Sequence, residues 1–155
     1  VLHFKKFQKG GVKMEVKERL LVIFVSRGDF ERAKKVAETL SAELIKRSKE
    51  LKKNLEKCLE NYVEEGWPKG AIETAKLLGR ELTPQELGKI AKRCIENEWP
   101  YRAIEVAELL VKLKRTQEVE EILVKFTEKG WLSEAKKVAS LLPEPKRTEY
   151  LNIFS

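Results

Sequence analysis

Glu65-Gly66-Trp67-Pro68, Asn97-Glu98-Trp99-Pro100 and Lys129-Gly130-Trp131-Leu132 contain the three tryptophans of the chain, each 32 residues from the next. Each tetrapeptide closes one segment of helical apolar period and opens another. A repeat of this length in a Lys/Glu/Leu/Ala-rich chain is the mark of stacked helical hairpins, because one hairpin cannot bury its apolar face alone. Gly28-Asp29 is an earlier copy of the same turn with Asp in place of Trp. Asp29 lies 38 residues before Trp67, six more than the later period. An insertion of about two turns is therefore expected around Lys46–Lys53. Helices 2 and 3 either part there at a short turn or run on as one long helix.

Working outward from these turns, helix 1 is predicted over Glu15–Arg27, with Leu20, Leu21, Phe24 and Val25 as its buried stripe. Gly28 can adopt positive φ at the helix end and Asp29 can cap the next start. Helix 2 starts near Phe30, and helix 3 ends at Glu65. Pro68 and Pro100 suit the first turn of a helix, where an N–H is not needed. Thr83-Pro84-Gln85-Glu86 reads as a capping box. Thr116 is expected to cap helix 7, and helix 8 to begin at Ser133 or the residue before it. Pro143 and Pro145 end that helix. Residues 146–155 are expected to form a short capping helix or tail, with Tyr150, Leu151 and Phe154 on one face.

Setting Gly28, Gly66, Glu98 and Gly130 in register aligns further positions. Four residues earlier stand Phe24, Tyr62, Cys94 and Phe126; eight earlier, Leu20, Cys58, Ile90 and Ile122. Five residues later stand Ala33, Ala71, Ala103 and Ala135; nine later, Ala37, Ala75, Ala107 and Ala139. Two small residues one turn apart allow the second helix of each hairpin to approach its neighbours closely.

Tyr62-Gly66-Ala71, Phe126-Gly130-Ala135 and Phe24-Gly28-Ala33 resemble the tetratricopeptide-repeat superfamily, whose repeats place an aromatic residue four before a turn glycine and alanine five after it. The resemblance covers about residues 15–142. It departs from the family in its 32-residue period, in alanine at a second-helix position that is usually aromatic, and in a closing proline found only at Pro143. It implies an all-α, right-handed αα-superhelix of about four hairpins over residues 14–145. The family binds peptides on the inner face of the first helices. The matching positions are Lys53, Glu56, Glu60, Val63 and Glu64, then Gln85, Gly88, Lys92, Ile95 and Glu96, then Gln117, Glu120, Val124, Thr127 and Glu128. The Lys/Asn/Arg set by which some relatives clamp a carboxylate is missing, so a basic or neutral protein or peptide is the expected partner. An ordinary solvated face is the competing reading. Related one-base-per-repeat RNA readers use small polar residues where Glu56, Gly88 and Glu120 stand here, and carboxylates there repel phosphate.

Charge is uneven. The net +7 of the chain lies entirely within residues 1–60, and the remainder is neutral. Residues 1–13, with Lys5, Lys6, Lys9, Lys13 and Gly10-Gly11, are expected to form a basic flexible arm, or to lie upstream of a true start at Met14. Lys46, Arg47, Lys49, Lys52, Lys53 and Lys57 form the one patch suited to phosphate contact. Nucleic-acid binding through residues 46–57 is therefore the alternative function, and a solvated helix face its plain reading.

Nothing points to catalysis. His3, the single histidine, lies in the arm. Phosphate loops, nucleophile elbows and metal-ligand spacings are missing. Cys58 and Cys94 read as buried core thiols, and no cofactor or metal is expected. No apolar run reaches the ~20 residues of a bilayer span. The resulting expectation is a cytoplasmic protein-interaction scaffold able to self-associate through Tyr150, Leu151, Ile153 and Phe154. Its charge-rich, methionine-poor composition leans toward a thermophilic source.

Overall fold

The computed structural model describes residues 14–41, 44–45 and 48–155. Among these the chain is all-helical, with α1 Val16–Ser26, α2 Phe30–Thr39, α3 Lys49–Glu65, α4 Pro68–Leu77, α5 Pro84–Glu96, α6 Pro100–Lys112, α7 Thr116–Glu128, α8 Leu132–Leu141 and α9 Lys146–Phe154. The expected arm, residues 1–13, lies outside the described residues. The chain divides into two compact units, Val1–Tyr62 with Lys69–Glu81, and Val63–Pro68 with Leu82–Ser155.

In the first unit α1 packs on α2. The buried face of α1 is Glu18, Leu21, Val22 and Val25: Leu21 and Val25 of the expected stripe are fully buried, whereas Leu20 is 38% exposed and Phe24 only half-buried. The buried Glu18 has a partner, since the half-buried Ser48 hydroxyl donates to Glu18 Oε2 at 2.8 Å. A carboxylate can stay buried only with such a partner. The Tyr62 hydroxyl donates to the Val25 carbonyl, and its ring meets Phe30 at 5.9 Å between centroids.

The insertion resolves into two helices. The chain leaves α2 at Leu40, whose backbone is extended (ψ 141°). Ser48 Oγ accepts from Leu51 N–H at 3.3 Å as α3 begins. Of the run 46–57, Lys49 to Lys57 belong to α3.

In the second unit each helix from α5 to α9 packs on the next, and α5 also meets α7 while α6 meets α8. Capping follows local chemistry. Thr83 and Glu86 exchange both hydrogen bonds of the capping box (Glu86 N to Thr83 Oγ1 3.1 Å, Thr83 N to Glu86 Oε1 2.9 Å). Asp29 caps α2 through Arg32 N–H at 3.2 Å. Thr116, by contrast, is the first helical residue. Arg115 occupies the cap without a side-chain bond and instead pairs with Glu118 at 2.6 Å.

The Gly-Trp turns have one construction. At the end of α7, Trp131 N–H reaches the Phe126 carbonyl (2.9 Å) and Gly130 N–H the Thr127 carbonyl (3.0 Å). Asp29/Phe24 with Gly28/Val25, and Trp99/Cys94 with Glu98/Ile95, repeat this six-to-one and five-to-two pairing. It requires a left-handed residue after the helix. Gly28, Gly66 and Gly130 supply φ of 74°, 74° and 78°, and Glu98 is forced to 60°. The Trp131 ring then packs edge-on against Phe126, 5.3 Å between centroids, as the apolar clasp of the turn.

The alanine columns lie behind these turns. Ala33, Ala71, Ala103, Ala107, Ala135 and Ala139 are fully buried and Ala75 is 1% exposed, whereas Ala37 is half-buried. A leucine at 107 has no room and should cost about 1–3 kcal/mol, while the same change at 37 should cost clearly less; chemical denaturation compares them. Backbone sign gives a second test. Glu98→Gly should stabilise by up to about 1 kcal/mol by relieving positive φ. Gly66→Ala should cost more than Gly130→Ala, because its Cβ would stand 2.7 Å from Arg93 Cγ while that of Gly130 meets nothing within 4 Å.

Candidate functional site

The second unit carries a groove of about 460 Å³ between α5 and α7. Its floor is apolar, from Ala91 and Ile95 of α5, Leu110 of α6 and Ile122 of α7. These four are buried as residues, and they form the floor because α5 and α7 run side by side over α6. Gly88 opens one end: it is exposed, and a Cβ there would meet nothing within 4 Å. Lys92 and Glu96 line the α5 rim, and Glu118, Glu121, Lys125 and Lys129 the α7 rim.

The rim is charge-balanced. Glu118 is held by Arg115 (2.6 Å), whose hydrogen bond draws its carboxyl below the usual range. Lys125 stands 3.7 Å from Glu128, and Lys129 Nζ lies 5.7 Å from the centre of the Trp131 ring. A small apolar floor within a neutral, salt-tolerant rim suits an uncharged segment of a partner rather than a polyanion.

The residues expected from the sequence separate into groups. Lys92 and Glu96 line the groove. Gln85 and Gln117 are exposed at the starts of α5 and α7. Glu120 and Glu128 turn instead toward α9. Lys146 Nζ meets Glu120 Oε1 at 2.7 Å, and the Tyr150 hydroxyl donates to Glu120 Oε2. Glu120 is thus a structural tether rather than a free partner contact. Glu128 borders a second cleft, of about 350 Å³, under α9. Glu64 is exposed, and its backbone carbonyl accepts from Arg93 Nε at 2.8 Å. In the first unit, Glu56 is taken up by Arg80 at 3.1 Å, while Lys53 and Glu60 are exposed.

Of the phosphate-contact residues, Lys46 and Arg47 lie outside the described residues. Lys49, Lys52, Lys53 and Lys57 are all exposed along α3 around a shallow basin of about 480 Å³ that Glu56 and Glu60 also line.

Glu118, Glu121, Lys125 and Lys129 were not anticipated. Their signal was available: spacings of three, four and four residues put them on one face of α7. Only the pairing of that face with α5 makes it a wall.

Cys58 and Cys94 are buried, and loss of hydration pushes both thiols up to about 11. Cys94 Sγ donates to the Gly66 carbonyl at 3.2 Å. Among the described residues no group of three or more His, Cys, Asp or Glu side chains could hold a metal ion, and no helix is long and apolar enough to cross a membrane. No family model, curated protein or solved structure matches the chain.

The Glu120 tether makes α9 docking pH-dependent at both extremes. Bonds from Lys146 and then Tyr150 hold the Glu120 carboxyl below its ordinary value, so its contribution is present above about pH 4.3 and lost as pH falls through the depressed value. The same bond raises the Tyr150 phenol, whose contribution is present below about pH 10 and lost above it. Amide exchange in α9 should therefore accelerate at both limits before the rest of the unit opens. Glu120→Gln should speed α9 exchange severalfold at neutral pH and flatten the acid limb.

Proposed function

We propose that this chain is a non-catalytic protein–protein interaction scaffold, a right-handed α-solenoid of four tetratricopeptide-repeat-like hairpins working in the cytoplasm. Packing of each helix in the second unit on its next and next-but-one neighbours supports the solenoid reading. The observation that carries the function is the α5–α7 groove, with its apolar floor of Ala91, Ile95, Leu110 and Ile122 inside a balanced charged rim. It would take a short, predominantly apolar peptide segment of another protein. Binding there should be nearly insensitive to salt, since the rim neutralises itself.

The second reading, nucleic-acid binding through the basic segment 46–57, draws on the exposed Lys49, Lys52, Lys53 and Lys57. The neighbouring Glu56 is already committed to Arg80. That reading requires affinity to fall steeply with salt.

Gly88→Tyr separates the two. A Cβ at position 88 would meet nothing within 4 Å, so the ring should extend into the open end of the groove, and removing a mid-helix glycine should raise stability by up to about 1 kcal/mol. Peptides selected from a random library on the wild-type protein should bind it in calorimetry and lose at least tenfold in affinity for Gly88→Tyr. Selection that yields no binder, or binders indifferent to Gly88→Tyr, would rule out the groove. RNA binding that vanishes in a Lys52→Glu/Lys53→Glu variant would favour the second reading.

A further inference from the structure

The turn between α5 and α6 departs from the other turns of the second unit at three places. Glu98 holds φ 60° where Gly66 and Gly130 stand in the equivalent turns. Cys94 occupies the position of Tyr62 and Phe126. Trp131 packs edge-on against Phe126 and is half-buried, whereas Trp99 has no ring at that position and is 38% exposed. Tyr101, in the first turn of α6, is 62% exposed where Lys69 and Ser133 stand in the related helices. A left-handed glutamate, an unclasped tryptophan and an exposed tyrosine at one tip work against the local rules that the neighbouring turns obey. Departures of this kind gather where a surface has a further task.

The cations at this tip are held by rings. Arg102 Cζ lies 4.2 Å from the centre of the Trp99 ring, and Lys137 Nζ of α8 lies 4.9 Å from that of Tyr101. Among the described residues neither cation takes part in an ion pair, whereas Arg32, Arg115 and Lys146 are each taken up by a carboxylate. An aromatic face attracts a cation without cancelling its charge. Both charges therefore remain available to an anion. They do not form a field of one sign, however. Glu98 is exposed one residue before Trp99, and Glu105 is exposed one turn beyond Tyr101. A phosphate backbone or an anionic bilayer would meet these carboxylates together with the cations. A peptide that sets one or two carboxylates among apolar side chains can reach Arg102 and Lys137 and leave the glutamates in water. Trp, Tyr and Arg are also the residue types that most often anchor protein contacts.

We propose that the α5–α6 tip is a second docking surface, which takes a segment of a partner protein whose acidic residues are interleaved with aromatic or aliphatic ones. The carboxylates of that segment pair with Lys137 and Arg102, and its apolar side chains cover Tyr101 and Trp99. The surface lies wholly within the second unit, with Trp99, Tyr101 and Arg102 on α6 and Lys137 on α8. Its occupant differs in chemistry from the apolar segment assigned to the α5–α7 groove, and its affinity falls as salt screens the exposed charges. The inference rests on the scaffold reading only in taking a protein as the partner.

Peptides selected on the full chain from a library of alternating acidic and apolar positions supply the probe, with affinity read by fluorescence anisotropy. Tyr101→Ser and Lys137→Glu each change an exposed side chain, and far-UV circular dichroism checks folding. Each should weaken binding about tenfold or more, while Gly88→Tyr, in the groove, should leave it unchanged. Changing one acidic position of the peptide to lysine should restore binding to Lys137→Glu, which a merely structural role for Lys137 would not produce. Four results would overturn the proposal: no peptide binds, both tip variants bind as wild type does, Gly88→Tyr abolishes binding, or single-stranded RNA or anionic lipid vesicles bind through Tyr101 more tightly than any peptide. Apolar peptides that still bind Tyr101→Ser test the groove separately, so either reading can fail without the other.

Discussion

The structure depends on one backbone constraint, the left-handed residue that follows α1, α3, α5 and α7. A single positive φ, with its six-to-one and five-to-two hydrogen bonds where the chain closes them, reverses the direction of the chain within two residues. The next helix then starts at a constant offset. Residues five and nine positions later arrive at a closely packed place in every case but Ala37, which is half-buried. At the last of these turns the rings on either side, Phe126 and Trp131, pack edge to face. Alanine columns, helix starts and apolar stripes all inherit their phase from that residue. Glu98 demonstrates the strength of the constraint, since it keeps the conformation without the freedom of glycine.

Charge works differently here. Several acidic and basic side chains pair locally on helix surfaces, as Asp29 with Arg32 and Arg115 with Glu118 do. Exposed pairs of this kind contribute little to stability but remove net charge from the surfaces they border. The consequence is an α5–α7 groove that is apolar at its floor and neutral at its rim. Glu56 with Arg80 and Glu120 with Lys146 pair at long range instead. By holding both Lys146 and Tyr150, Glu120 attaches α9, which buries none of its own residues completely.

Helix existence, most boundaries and the capping chemistry were legible in the sequence, because they follow from near-neighbour effects: proline at Pro68, Pro84 and Pro100, the Thr83–Glu86 box, glycine at positive φ. The buried state of Cys58 and Cys94 followed from the register of the repeats. The face of α1 was legible only in part: Leu21 and Val25 are buried, but Glu18 is buried where Leu20 was expected, bonded to a hydroxyl 30 residues away on Ser48. One wall of the groove was legible in Lys92 and Glu96. The other wall was not, because helical periodicity says which residues share a face and not which helix that face meets.

The sequence by itself determined that this chain forms paired helices with a repeating turn, since φ preferences, capping and a 32-residue period act over a few bonds or recur identically. Tertiary structure alone decided what each exposed face does. Glu120 and Lys92 look alike along the chain, yet one is bound under α9 and the other lines an open groove. That difference depends on which helix lies across from each residue, a property of packing in three dimensions that no local pattern records.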